Sequence, residues 1–145
     1  MKKLLSILLV LLLVASSACA ETTTYYMYKY NTLAEIYGAP VLSNDMITKD
    51  NGEEIDFRCG DMFISFNKDH ADILAPDSAD FLPACVCIAF TFAKDSDGAV
   101  SFLGNLLYSY MVVKSGKSAD PLLFNSLVYF VSSTDQGLLF FIGGS

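Results

Sequence analysis

Lys2 and Lys3 precede an almost unbroken aliphatic run over residues 4–15, and the small residues Ser16, Ser17, Ala18, Cys19 and Ala20 follow it. A cationic start, an apolar stretch and a small-residue end are the three parts of a secretory signal peptide. The apolar stretch is about 12 residues, whereas a helix that crosses a bilayer needs about 20. Ala18 and Ala20 satisfy the small-x-small cleavage rule, so a cut is expected after Ala20. The chain then divides into residues 1–20, a disposable export tag, and residues 21–145, a single exported globular domain. Those 125 residues must build one core of their own, and a chain of that length can do so.

Cys19 admits a second outcome. The run Ser16-Ser17-Ala18-Cys19 resembles the end of a bacterial lipoprotein signal, in which the cysteine is acylated after cleavage. Ser16 stands where that pattern usually carries Leu. In this alternative the domain is lipid-anchored outside the cytoplasmic membrane, and a membrane is a partner only if Cys19 is acylated.

The formal charge is −7, and loss of Lys2 and Lys3 would take it to −9. So acidic a chain is poorly suited to nucleic acid, because phosphate contacts are supplied by Lys and Arg. It is equally unsuited to anionic surfaces. A hydrophobic fraction of 53% argues against disorder.

The pattern predicts a mainly β domain: an antiparallel meander closing as a small barrel or sandwich, with one short N-terminal helix. Tyr25 to Tyr30 is aromatic and strand-prone. Thr32 and Glu35 have capping-box spacing, and Gly38 and Pro40 should stop that helix soon after Tyr37. From Glu54 to Cys59 polar and apolar residues alternate, the mark of a half-buried strand. Met62 to Phe66 and Ala71 to Ala75 read as further strands around a Lys68-Asp69-His70 turn. Val86, Ile88, Phe90 and Phe92 alternate with Cys85, Cys87, Ala89 and Thr91, which also reads as a strand. Gly104-Asn105 reads as a hairpin turn, and Thr134 to Gly137 as another. The alternative is an α+β fold with helices near 99–113 and 121–132. There Ala99, Leu103, Leu106, Leu107 and Tyr110 have helical spacing, and Asp120-Pro121 suits a helix start.

Cysteine chemistry is limited. With Cys19 in the tag, Cys59, Cys85 and Cys87 remain, an odd number that cannot all pair internally. A disulfide of Cys59 with Cys85 or Cys87 is one expectation; three small buried hydrophobes is the other. These thiols with His70 form an acceptable zinc set in chemical terms, but Cys-x-Cys is tighter than the usual spacing, and no metal is expected. Asp95-Ser96-Asp97-Gly98 opens like a calcium loop, yet Leu106 occupies the position of the bidentate Glu. No glycine-rich phosphate cradle follows a strand, and no cofactor is expected.

His70 is the sole histidine, which limits nucleophilic devices that depend on one. No catalytic residue is assigned. The strongest hint of binding is Tyr26, Tyr28 and Tyr30, which share a face if their segment is extended. Tyrosine offers flat area with a polar tip, suited to sugars and peptides. The sequence thus leads to an exported, non-catalytic domain that binds a ligand, with a protein or glycan as partner, at the cell envelope or outside it. The alternatives are a small secreted hydrolase using His70 or acidic residues such as Asp72, and an inhibitor or accessory subunit of another exported protein.

Overall fold

The computed structural model describes residues 25–93 and 95–144. The expected signal peptide, the cleavage site and Cys19 lie outside the described residues. The chain runs α1 (residues 25–37), a 3-10 turn (Asn44–Met46), then β1 (Ile47–Asp50), β2 (Glu54–Cys59), β3 (Met62–Asn67) and β4 (His70–Ala75). Two helices follow, α2 (Phe81–Phe92) and α3 (Ala99–Lys114). Three strands complete it: β5 (Leu122–Phe124), β6 (Leu127–Thr134) and β7 (Gly137–Gly144).

The strands form one seven-stranded sheet in the order β1-β2-β3-β4-β7-β6-β5, with every neighbouring pair antiparallel. The antiparallel, strand-rich core is therefore as the sequence indicates. Its second layer is helical, and the sheet is open, with β1 and β5 at its two edges, so it closes neither as a barrel nor as a pair of sheets.

Register places one set of apolar residues on a single face. Phe57 pairs with Ile64, Ile64 with Ile73, Ile73 with Phe140, and Phe140 with Val131. All five are buried. The three helices cover this face. Tyr26 of α1 stacks on Phe66, with ring centres 5.5 Å apart. The middle helix, α2, lies over β4 and β7, and α3 over β6. Phe102 of α3 stacks on Phe124 at 4.5 Å and meets Tyr129 edge-on at 4.9 Å. Such ring pairs add about 0.5–1.5 kcal/mol each beyond area burial.

Three segments differ from the sequence reading. Residues 25–30 are the start of α1 and not a strand, so the short helix expected near Thr32 begins earlier; it does stop at Tyr37. There Gly38 takes φ +75° and donates its N–H to the Ala34 carbonyl at 2.9 Å, a left-handed cap. Residues 81–92 are also helical. Their alternation of large and small residues was accidental: α2 buries Phe81, Ala84, Cys85, Val86, Cys87, Ile88, Ala89 and Thr91, and a helix enclosed on most sides has no polar stripe to reveal its period. Finally, Gly104-Asn105 lies inside α3 and turns nothing. The alternative helix near 99–113 is the one that forms, whereas 121–132 is strand.

Two side chains tie the helical layer together. Asn31 clamps the chain that leaves α1: its amide donates to the Leu42 carbonyl and its carbonyl accepts the Leu42 N–H, both at 2.7 Å. Lys29 donates to the Thr91 carbonyl at 3.0 Å, placing a cation at the negative end of α2.

Candidate functional site

The period-two alternation that buries one side of each strand exposes the other. Glu54 and Asp56 of β2, Phe63 and Ser65 of β3, and His70, Asp72 and Leu74 of β4 point away from the helices. So do Leu139 and Phe141 of β7 and Val128 and Phe130 of β6. None of the three helices covers this face. Register lines its residues up in rows. One row runs Asp56, Ser65, Asp72, Phe141, Phe130; the next runs Arg58, Phe63, Leu74, Leu139, Ser132. In the first row the β2–β4 positions carry two carboxylates and a hydroxyl and the β7–β6 positions carry rings; in the second, Phe63, Leu74 and Leu139 place apolar groups on both sides.

The acidic half is organised around Ser65. Its hydroxyl donates to Asp56 Oδ1 at 2.7 Å, and Glu54 Oε1 lies 3.3 Å away. Lys49 pairs with Glu54 at 2.6 Å, and this contact holds the Glu54 carboxyl below its ordinary range. Asp72 goes the other way. Partial burial raises its pKa, His70 nearby lowers it, and Asp56 and Glu54 raise it further. A shallow depression of about 440 Å³ lies over these groups, bounded also by Phe63 and Leu74.

The apolar half is a ladder of flat groups. His70 stacks on Phe141 with ring centres 5.5 Å apart, and Phe141 on Phe130 at 5.3 Å. Gly143, opposite His70, leaves the space this needs. A Cβ there would lie 2.8 Å from the His70 Cβ and 3.0 Å from the Phe141 ring. A ring lying over a strand glycine shields backbone that a side chain would otherwise cover.

This arrangement offers carboxylate acceptors beside a flat apolar platform. It does not assemble a Ser-His relay, since the Ser65 proton goes to a carboxylate. Among the described residues no group of three or more His, Cys, Asp or Glu is placed to hold a metal ion. Nor is any described helix long and apolar enough to cross a membrane.

Tyr26, Tyr28 and Tyr30 do not form one surface. On a helix, residues two apart point in widely different directions. Tyr30 is fully buried, Tyr28 is 72% exposed, and Tyr26 is sandwiched against Phe66 and Phe92. Cys59, Cys85 and Cys87 are free thiols, so the Cys59 disulfide with Cys85 or Cys87 is not formed. Cys85 and Cys87 are buried in α2, not on a strand face. Burial raises all three thiols, Cys87 to about 12, which disfavours the thiolate needed for exchange.

Sequence reasoning singled out His70 and Asp72 but not their neighbours. Glu54 and Asp56 were visible as the outward half of an alternating strand. Phe130 and Phe141 could be found only by knowing that β7 pairs with β4. Comparison with protein-family models, with curated proteins and with solved structures finds no match.

Proposed function

We propose that this chain is an exported, non-catalytic binding domain that takes a protein or glycan partner on the open face of its sheet. One observation carries the reading: a carboxylate lane (Glu54, Asp56, Asp72) lies directly beside an aromatic lane (His70, Phe141, Phe130) on a face that no helix covers. Such a face complements a partner that offers hydrogen-bond donors or cations next to apolar area. Specificity comes from the carboxylates and affinity from the rings.

The test is recovery of partners by cross-linking in the producing cells, using wild type and the variants Asp56→Asn with Asp72→Asn, and Phe63→Ala. Phe63 is 46% exposed, so its truncation should leave the fold intact. A partner held by the wild type and lost by the variants, at unchanged melting temperature, supports the reading. The same partners recovered with all variants would remove this face from it. A hydrolytic activity abolished by His70→Ala would replace it with the secreted-hydrolase alternative.

A further inference from the structure

Helix α3 carries two apolar stripes on opposite sides. Phe102, Leu106, Ser109 and Val113 are buried against the sheet. Half a turn away lie Val100, Leu103, Leu107 and Met111, with Tyr108 at their margin. They are 85%, 38%, 49%, 61% and 69% exposed respectively. An ordinary surface helix has charged and polar residues there. Here no charged residue occurs between Ala99 and Val113. The exposed stripe amounts to an area on the order of 500 Å² per copy, at the upper end of what a typical monomer leaves open. A stable interface takes about 800 Å² from each partner, so the stripe supplies most of one.

We propose that this stripe is the interface of a two-fold symmetric dimer, formed by α3 packing antiparallel on α3 of a second copy. This surface is on the helical layer, so the proposal is independent of the sheet-face reading. Three observations select a second copy as the occupant.

The first is charge. At a net charge of −7 two copies meet most easily where no carboxylates are brought together, and α3 carries none between Ala99 and Val113. The second is self-complementarity. Gly104 sits within the stripe, and a Cβ added there would meet nothing within 4 Å. A two-fold axis crossing the helix near its middle puts Leu107 of one copy over the partner's Gly104, and the same contact recurs in reverse. Val100 then meets the partner's Met111. A glycine at the crossing lets the two helices approach closely.

The third observation is at the stripe's ends. Among the described residues, Asp97 just before α3 and Lys117 just after it have no ion-pair partner; Lys114 is already paired with Asp77 at 2.8 Å. An antiparallel arrangement sets the Lys117 end of one copy beside the Asp97 end of the other, and opposes the two helix dipoles favourably. A lipid surface fits less well, because helices lying on membranes carry Lys and Arg along the polar side. The side of α3 opposite the exposed stripe is packed into the core.

Sedimentation equilibrium of the full chain, as recovered from producing cells, decides the matter over a broad dilution series. Twice the chain mass is expected at the concentrated end. Leu107→Glu and Met111→Glu should each raise the dimer dissociation constant by at least about tenfold, as removal of a central apolar contact does. Gly104→Gln should do the same by filling the crossing point. That position faces open space and glycine is a poor helix former, so at high dilution the variant should keep the wild-type far-UV signal and melt no lower than the wild type. A wild type that is monomeric throughout overturns the proposal. So does a dimer that survives Gly104→Gln unchanged, and so does a monomer that instead floats with phosphatidylglycerol vesicles.

Discussion

Tyr30 and Tyr129 are the residues at which the core conflicts with its own chemistry. Both rings are fully buried, and neither hydroxyl has a hydrogen-bond partner. An unsatisfied buried polar group costs about 1–3 kcal/mol, whereas the rings themselves fill the space between helices and sheet. Tyr30→Phe and Tyr129→Phe should therefore be neutral or stabilising, by up to about 1 kcal/mol each, in urea unfolding. A loss larger than about 1 kcal/mol would show that the hydroxyl has a partner after all, such as an ordered water. Asp72 supplies the pH-dependent counterpart. Its folded pKa is raised, so the native state binds the proton more tightly than the unfolded chain. The stabilising contribution is complete below the unfolded value near 3.8 and is lost as pH rises through the folded value. Asp72→Asn should thus be more stable than wild type at neutral pH, and the difference should vanish near pH 3. Urea midpoints at the two pH values measure this; an advantage that persists in acid would exclude the carboxyl as its cause. Glu54 titrates in the opposite sense, but it is only partly buried and Lys49 is exposed, so their pair should contribute little.

Among the elements, those half-exposed to solvent were legible in the sequence, and those enclosed by others were not. Strand β2 announced itself because Ile55 and Phe57 face the core while Glu54, Asp56 and Arg58 do not. Helix α2 hid because neighbours surround it, which left Val86 to Phe92 free to alternate by chance. Helix α3 has helical spacing, but its β-branched and aromatic residues Tyr108, Tyr110, Val112 and Val113 favour strand. Packing of Phe102 and Leu106 onto the sheet outweighs that propensity. The candidate site was half legible: its carboxylates lie in local alternation, whereas its ring ladder depends on a pairing between residues as distant as His70 and Gly143. That pairing also explains the turn before β7. Gly137 has φ +136°, and a Cβ there would lie 2.5 Å from the Ala75 carbonyl oxygen. Backbone in that position cannot swing aside. Gly137→Ala should cost at least about 2 kcal/mol, from the disallowed conformation alone, and thermal denaturation will show it. An unchanged melting temperature would mean that β7 does not pack against the end of β4 as described.

At the scale of the whole molecule, export and topology impose separate demands. If residues 1–20 are a disposable tag, mass spectrometry of the exported protein should find Glu21 at the N-terminus and no acyl group. A mass starting at an acylated Cys19 would move the protein to the lipid-anchored alternative. Topology makes the opposite end indispensable. Strand β7 is the last element described, yet it lies in the middle of the sheet, between β4 and β6. It supplies Leu138, Phe140 and Ile142 to the core. Burying side chains of this kind contributes about 1.5–3 kcal/mol each, so the three together rival the whole margin of about 5–15 kcal/mol that keeps a domain folded. Without β7, moreover, β6 and β5 lose their pairing to the β1–β4 half of the sheet. A chain ended at Gln136 should consequently fail to fold as a unit, losing its cooperative melting transition and its resistance to protease. Removal of an edge contact such as Leu123, which is 71% exposed, should leave both intact when Leu123→Lys is compared. A cooperative transition in the shortened chain would show that the β1–β4 half and its helices are a folding unit by themselves, and that β7 joins a core already formed.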